Sequence, residues 1–494
     1  MALRFGSPRL SVRSNRFDAA APLFWAFTAL IVWAPIPLGS NRPWAWAILE
    51  IGAFLLSAAW LLLWGFGRAD TPDALRAAWP AWCLLAAWLA LQALHVVPLP
   101  PSWVASISPE AARVHAIGLD AGVASPTTMT LSIDPEASRV SLLKSLAYAA
   151  IFFLTLALVA RRSRLFILAR VIVYASVVLA IYAVLMHLGG STDEYLGTLI
   201  AHGDSASGTY ANRNHFAGYL EMTLALGIGL LIAGLSDRKA DSWKKFFRLT
   251  IDWILSPKMI LRLSLCILVI ALTTTHSRMG NTAFFVSLLA AGGIGIVLSR
   301  HAPRNTVLLL ASLVAIDLFI VGSWFGVEKL AQRLEQTTAQ DVHVREEPAA
   351  YTMPLIRDYA LFGSGPGSFH VAFPRYRPAV VANFFDYTHN DYAQFAAESG
   401  VVGFLVLAAF VALSLGAALA AQWRRRDPLM RGMSFACIMG VTAILIHSWV
   451  DFNLQIPANA TLFMVMLALG WISLSLDRRD ALVDARLAHT RVED

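Results

Sequence analysis

Residues 388–404 read THNDYAQFAAESGVVGF and lead into an apolar run that reaches residue 422. The stretch places a histidine, an amide and two carboxylates at the mouth of that run. If a helix begins near His389, positions 389, 393, 396, 400 and 403 share one face at a period of 3.6. That face carries small residues below His389, which would let a neighbouring helix approach closely. The same geometry puts Glu398 on the opposite face, so we expect it to act as a support residue.

The composition indicates an integral membrane protein. Of the 494 residues, 57% are hydrophobic and only 14% are charged, whereas soluble domains carry about 25% charged residues. The net charge of +7 does not indicate a nucleic-acid partner, because most basic residues form short clusters between apolar spans. The three cysteines lie far apart in separate spans, which favours packing over a metal site or a disulfide.

Apolar runs of about 20 residues predict about twelve transmembrane helices. The fold class is therefore an all-α membrane protein, a polytopic bundle with a large, partly helical outer loop. We interpret the first run as a membrane span rather than a removable signal peptide. The predicted spans are 20–38, 44–66, 78–97, 140–160, 165–188, 214–235, 258–276, 281–299, 306–325, 394–422, 432–452 and 457–476.

The distribution of basic residues predicts the orientation. Most basic clusters fall on one side, which the positive-inside rule makes cytoplasmic, and both termini lie there. The chain then divides into spans one to nine (1–325), a large periplasmic loop (326–393), spans ten to twelve (394–476) and a cytoplasmic tail (477–494). The loop breaks the charge rule, and an anionic ligand is the simplest reason. Its basic residues are Lys329, Arg333, Arg345, Arg357, Arg375 and Arg377.

Polar residues at the outer ends of other predicted spans are further candidates for the functional site. Arg278 follows one apolar run and precedes another, so it could bind a phosphate or extend to the interface as a structural residue. The segment 212–215, Asn-Arg-Asn-His, could bind a sugar or phosphate through Arg213 and the amides, or cap a helix. His447 and Asp451 have helical i, i+4 spacing, which predicts either a structural or a catalytic pair.

His389 is the candidate general base, since an imidazole titrates near neutral pH; the alternative is a plain hydrogen-bonded histidine. The glycines of segment 363–367 indicate turns, because no Lys-Ser/Thr follows them as in a phosphate loop. The sequence shows no Walker motif and no His/Cys cluster at metal-ligand spacing. A transferase acting at the outer face would therefore need a donor already activated within the membrane, and we expect no cofactor.

Four motifs resemble the O-antigen ligase and polysaccharide polymerase superfamily of bacterial inner-membrane proteins. The first is His389-Asn390, nine residues, then Gly400-Val401-Val402-Gly403, where Phe404 departs mildly from the family pattern. The second is Arg345 ahead of the turn at 363–369. The third is Ser-Arg-x-Gly at 277–280, and the fourth is GTYANRNHFA at 208–217.

The resemblance implies a GT-C-like, metal-independent, inverting glycosyltransferase of the bacterial inner membrane, with its active site on the periplasmic side. The donor would be a glycan on undecaprenyl diphosphate, held by Arg278 and Arg345. His389 would activate or orient the acceptor hydroxyl, and Asn390 would support the loop or the sugar. Charge and location alone add secondary candidates, namely Arg213, Arg357, Arg375 and Arg377.

The acceptor distinguishes the activities that the resemblance implies. A ligase transfers the glycan to lipid A-core, a polymerase to another lipid-linked repeat, and a related enzyme to protein hydroxyls. None of the candidate residues chooses among these activities. A lipid-linked glycan flippase or secondary transporter is the alternative from another class. That class predicts charged or broken spans at the midplane, in matching positions of two halves, whereas the charges here gather at the outer mouths.

Overall fold

A computed structural model describes residues 18–120, 128–190, 192–196, 198–201, 205–234, 257–298, 339–378 and 384–476. One short hairpin, β1 (Thr192–Tyr195) and β2 (Thr198–Ala201), pairs antiparallel, and the other described elements are helices. The α-helices are α1 (Ala21–Trp33), α2 (Pro43–Gly65), α3 (Asp73–Ala77), α4 (Trp79–Val96), α5 (Pro101–Ile107), α6 (Pro109–Asp120), α7 (Pro135–Leu158), α8 (Arg162–Gly189), α9 (Arg213–Ala233), α10 (Pro257–Thr274), α11 (Arg278–Leu298), α12 (Ala339–Asp358), α13 (Phe369–Ala372), α14 (Asp391–Arg424), α15 (Pro428–His447) and α16 (Pro457–Ser475). Single 3-10 turns form at Leu38–Ser40, Phe373–Arg375 and Asn453–Gln455.

Within the described residues, nine helices are long and apolar enough to cross a membrane: α2, α4, α7, α8, α9, α11, α14, α15 and α16. The chain is thus a multi-pass, all-α membrane protein, as its composition predicts. The predicted spans fall on helices, except 306–325, which lies outside the described residues. The predicted span 20–38 is too long, because α1 ends at Trp33 ahead of two prolines. Its 13 residues cover about 20 Å, less than the hydrocarbon core of about 30 Å.

Three helices form the centre of the bundle. In α9, α15 and α16, 89%, 78% and 89% of an 18-residue apolar stretch is buried inside the protein. In the other spans, at most 44% of that stretch is buried. The helices α9 and α15 cross at glycines, where a Cβ on Gly432 would lie 2.2 Å from the carbonyl oxygen of Gly229. Only a residue without a side chain permits this approach. The ends of these two helices that lie far from His389 are therefore held close together.

A smaller apolar cluster, which we call the cap, covers the His389 end of the bundle. It joins residues 99–133 to residues 351–376, and Leu99 pairs with Met129 in an isolated β-bridge. The sequence treats these two segments as separate loops, but they share one core. Its buried members are Val104, Ala111, Leu131, Leu355, Tyr359, Phe369, Ala372 and Phe373, with Ala397 from α14.

The first turns of α14 are not continuous with the rest of the helix. Gly400 adopts φ 62° and ψ −175°, so the predicted unbroken face from His389 to Gly403 is wrong. After the break, the amide of Val401 donates to the carbonyl of Ala360 at 2.8 Å. The backbone of the glycine-rich turn thus replaces the missing helical hydrogen bonds. A period of 3.6 cannot detect such a break, because it depends on a partner distant in sequence.

Two glycines make this crossing possible. Gly363 has φ +82°, and a Cβ there would lie 2.2 Å from the carbonyl carbon of Glu398. A Cβ on Gly400 would lie 2.3 Å from the backbone of Leu361. The first glycine of the Gly-x-x-Gly motif therefore serves a backbone crossing with the cap rather than a smooth helix–helix contact.

Replacing Gly400 by alanine is expected to destabilise the fold. The backbone of Gly400, with φ 62° and ψ −175°, lies in a region that is essentially restricted to glycine, and an L-residue there costs about 1–3 kcal/mol. Forcing a methyl group against the backbone adds about 1–3 kcal/mol. Thermal unfolding in detergent measures the effect. Gly416→Ala is the matched control, because a Cβ at Gly416 on the same helix meets no atom within 4 Å. Equal stability of the two variants would contradict the crossing.

Candidate active site

His389 lies just before α14 rather than on it. Its backbone is left-handed, with φ 56°, and Asn390 caps the helix by accepting a hydrogen bond from the amide of Ala393 at 3.0 Å. The hydroxyl of Thr388 donates to the Asn390 carbonyl at 2.5 Å. The prediction that His389 crowns a helical face is therefore wrong, and Asn390 caps the helix that follows. The imidazole projects from a fixed turn and is 30% exposed.

The link between α15 and α16, residues 448–455, holds this turn in place. The amide of Asp391 donates to the carbonyl of Ser448 at 2.9 Å. The Asp391 carboxylate accepts from the Ser448 hydroxyl at 2.8 Å, from the Leu454 amide at 3.0 Å and from the Gln455 side chain at 3.2 Å. The Asp391 carboxylate therefore holds the backbone of the His389 turn against residues 448–455.

Asp451, in the same link, brings the polar residues of three segments together. Its Oδ1 lies 3.9 Å from Nδ1 of His389 and 3.3 Å from Nε2 of His215. Its Oδ2 accepts a hydrogen bond from the side-chain amide of Asn214 at 2.7 Å. The carboxylate is 2% exposed, so the pair consists of a buried anion beside a partly exposed imidazole.

The surroundings keep Asp451 ionised. Burial alone would raise the pKa of its carboxyl group, but contacts with His215 and His389 and the nearby charge of His447 hold that pKa well below its usual range. A negative charge beside an imidazole can stabilise positive charge that develops on the ring. Asp451 can therefore stabilise the charge that His389 gains when it accepts a proton.

His447 does not pair with Asp451, so the predicted pair, structural or catalytic, is wrong. The helix α15 ends at His447, so the i, i+4 geometry does not continue to Asp451. Instead, Nδ1 of His447 lies 2.7 Å from Oε1 of Glu221 on α9, and both side chains are at most 1% exposed. The His447–Glu221 pair connects the outer end of α15 to α9. Asn214 and His215 lie on the same helix, α9.

One aromatic ring lines the site on its inner side. Phe452 contacts His389 edge-on, with ring centroids 4.9 Å apart, and contacts His215 at 4.5 Å. Tyr387 stacks on the same ring at 4.6 Å, and burial raises the pKa of its phenol to about 12. These rings fix the imidazole planes, and Tyr387 stays a neutral hydrogen-bonding group.

Glu398 is a buried carboxylate just before the break in α14. It is 6% exposed, and its Oε1 accepts hydrogen bonds from the Phe369 amide at 3.1 Å and the Gln394 side chain at 2.9 Å. Gly363, Gly365 and Gly367 all have positive φ, as expected of turns. Glu398 therefore anchors the glycine turn to α14.

The arginine candidates lie in different environments. Arg278 is exposed and begins α11, which packs against α9 and α15. Arg345 lies on α12, which packs against α14, and its side chain is outside the described residues. Arg375 is exposed and forms a 2.5 Å ion pair with Glu110 in the cap. Of the remaining candidates, Arg357 is exposed and Arg213 and Arg377 are half-buried.

Asn212 caps α9, since its side chain accepts a hydrogen bond from the amide of Asn214 at 2.8 Å. The capping alternative is therefore confirmed for Asn212. Asn214 and His215, in the next turn, instead face Asp451. Among the described residues, no group of three or more His, Cys, Asp or Glu side chains is arranged to hold a metal ion.

The family model described as O-antigen ligase matches residues 263–408. This segment runs from α10 into α14 and contains Arg278, Arg345 and His389. This segment is similar to the O-antigen ligase family. No curated protein matches the sequence. Asn214, His215 and Asp451 lie outside the matched segment, although Asp451 joins the other two to His389 in the fold.

Two functional contacts were missing from the sequence prediction. Asp451 was assigned to His447 by spacing, whereas its nearest imidazoles belong to His215 and His389. Glu221 was not singled out, although it is the one acidic residue of α9 and an ionisable group within an apolar run. That signal predicts a buried partner, but only the packing of α9 against α15 identifies the partner as His447.

Proposed function

We propose that the protein is an inverting glycosyltransferase that moves a glycan from undecaprenyl diphosphate to an acceptor hydroxyl. The reaction would take place at the periplasmic face of the bacterial inner membrane, with both termini in the cytoplasm. The O-antigen ligase domain supports the reaction class. The observation that carries the proposal is the partly exposed His389 beside the buried anion of Asp451.

His389 would act as the general base. Its imidazole accepts the proton of the acceptor hydroxyl as the oxygen bonds to the anomeric carbon. The bond from that carbon to the diphosphate oxygen breaks, and the lipid diphosphate leaves with the electron pair. Because attack comes from the face opposite the leaving group, the anomeric configuration inverts. Asp451 is a positioning residue that orients the ring and stabilises the imidazolium.

Arg278 and Arg345 would bind the diphosphate. Guanidinium groups bind phosphate oxygens bidentately, and they stabilise the charge that develops on a leaving diphosphate. Their helices, α11 and α12, pack against the helices around His389, which supports this assignment. The metal independence of the reaction remains a prediction from the family resemblance.

Alanine at Arg278 or Arg345 should weaken donor use by about 10²- to 10³-fold in kcat/KM. Lysine should restore little of this loss, because an ammonium group cannot reproduce bidentate geometry. Initial rates at varied undecaprenyl-diphosphate glycan measure the effect in reconstituted protein. Arg139→Ala is the control, since Arg139 is exposed and pairs with Glu136 on the same turn of α7. Unchanged donor kinetics in both alanine variants would rule out the assigned diphosphate site.

A further inference from the structure

A buried pair of ionisable side chains lies deeper in the bundle than Asp451 and takes no part in the proposed reaction. Glu221 of α9 and His447 of α15 are 0% and 1% exposed, and Oε1 of Glu221 lies 2.7 Å from Nδ1 of His447. Both helices are long and apolar enough to cross a membrane. Ionisable residues within such helices are costly and are retained for function, whereas packing alone is served as well by two apolar residues.

The pair lies on the same face of α9 as the contact with Asp451. Asn214, which donates to Asp451 at 2.7 Å, and Glu221 are seven residues apart, so they share a helical face at a separation of about 10 Å. The bond from Asn214 connects α9 to the link that follows α15, and the bond from Glu221 connects α9 to the last residue of α15 itself. The two helices are therefore joined at two successive levels.

The third helix around the pair is α11. A Cβ on Gly280 would lie 3.2 Å from Oε1 of Glu221 and 2.7 Å from the Cβ of Ala217, so α11 closes directly over the carboxylate. Oε2 of Glu221 and Nε2 of His447 are buried and have no hydrogen-bond partner in the described part of the chain. The pair is thus enclosed by apolar helices, where a charge acts over a longer distance than in water.

The charges around His447 alternate in sign towards His389. Three carboxylates act on the His447 ring, namely Glu221 in direct contact and Asp451 and Asp391 through space. Such anions favour an imidazolium at His447. The charge of His447 in turn acts on Asp451, whose Oδ1 lies 3.9 Å from Nδ1 of His389. A chain of opposite charges therefore connects Glu221 to His389.

We propose that Glu221 and His447 form an ionised pair that controls the protonation of His389 through Asp451. The proposal rests on the proposed function, because it concerns the base of the same reaction. Asp451 stabilises the charge that His389 gains, and the imidazolium of His447 limits this effect, so His389 is neutral before the acceptor binds. Glu221 and His447 are positioning residues, since they act through Asp451 rather than on a substrate.

The other titratable and charged groups around this chain stay unchanged when Glu221 or His447 is replaced. They are His215 and Asp451 beside His389, Tyr387 and Asp391 in its own turn, and Arg278, which begins α11 two positions before Gly280. A change in the protonation of His389 in these variants can therefore be assigned to the pair.

Carbethoxylation of His389 tests the pair without any substrate. Diethyl pyrocarbonate acylates the neutral imidazole but not the imidazolium, and mass spectrometry of labelled protein in nanodiscs gives the rate for each histidine at each pH. In Glu221→Gln protein, His447 loses its counter-charge and becomes neutral. It then no longer repels a proton on His389, so the labelling curve of His389 should move to higher pH by about half a unit. His370 in the cap, which is 40% exposed, is the internal reference and should not shift.

Two further variants make the labelling result specific. His447→Gln should give the same shift, and the double variant should shift no further, because residues of one network act non-additively. Ser434→Ala is the matched control, since the Ser434 hydroxyl forms a buried 2.7 Å hydrogen bond with Gln422 towards the opposite end of α15. An unchanged His389 curve in Glu221→Gln and His447→Gln, or an equal shift in Ser434→Ala, would overturn the proposal.

Kinetics connect the pair to the reaction. On the acidic limb of the pH profile, Glu221→Gln should lower kcat about threefold, the change that half a pH unit gives, and should leave the donor KM unchanged. A labelling shift in protein whose wild type transfers no glycan would reject the proposed function but keep the coupling to His389. Glycan transfer by the wild type without a labelling shift in the variants would reject only the role of the pair.

Discussion

Replacing His389 by alanine is expected to abolish glycan transfer while the protein stays folded. Loss of a general base costs about 10²- to 10⁴-fold in rate, and here no other imidazole takes its place, because His215 and His447 are buried at 5% and 1% exposure. His389 is partly exposed and its turn is held by Asn390 and Asp391, so its removal leaves the backbone contacts intact. Initial rates with saturating donor and acceptor measure the loss.

Two further variants make the result specific. His389→Gln keeps a polar side chain but no base, and it should be as inactive as His389→Ala. His115→Ala removes a histidine of the cap, whose Nε2 contacts the carbonyl of Thr130 at 2.9 Å, and should leave transfer unchanged. If His389→Ala retained full activity with a normal unfolding midpoint, the assignment of His389 as general base would be wrong.

The second large effect is expected for Asp451→Asn. The substitution keeps the shape of the side chain but removes the negative charge beside His389 and His215. Misplacement of a catalytic group by a small distance can cost about 100-fold, so we expect a loss of that order in kcat with little change in donor KM. An equal loss through donor KM alone would indicate a binding role instead.

The same variant should change stability with a defined pH dependence. Because the folded-state pKa of Asp451 is depressed, its stabilising contribution is present above the unfolded pKa of about 3.9 and is lost as pH falls through the lower folded value. The stability gap between wild type and Asp451→Asn should therefore narrow as the pH falls below about 4. Asp427→Asn is the control at the opposite end of α15, where Asp427 pairs with Arg162. It should alter stability without lowering transfer by the folded protein.

The membrane fold follows largely from the sequence, because each span is a local property. An apolar run such as 457–476 is long enough to cross a membrane as a helix, in which a single segment satisfies its own backbone hydrogen bonds. The structure confirms helices at the predicted spans that it describes. The left-handed turn at His389 and the break at Gly400 could not be predicted in the same way. Both depend on backbone contacts with segments far away in the chain.

The candidate site was predicted in part. His389 is marked by its position at a span mouth and by its motif, and the match to the O-antigen ligase family includes it. Its partner Asp451 is 62 positions later in the printed sequence, and its role depends on where α15 ends. A helix continued by one turn would have placed Asp451 with His447. Because α15 ends at His447, the Asp451 carboxylate lies beside His389 and His215 rather than beside His447.

The most direct test of the central claim is a mass balance of labelled glycan in proteoliposomes that contain the purified protein. The donor is undecaprenyl-diphosphate glycan with a labelled sugar, and the acceptor is a dodecyl glycoside. We predict that one undecaprenyl diphosphate is released for each new glycosidic bond, with inverted anomeric configuration, and that His389→Ala forms neither product. Movement of intact labelled donor across the membrane without a new glycosidic bond would contradict the account and favour a flippase.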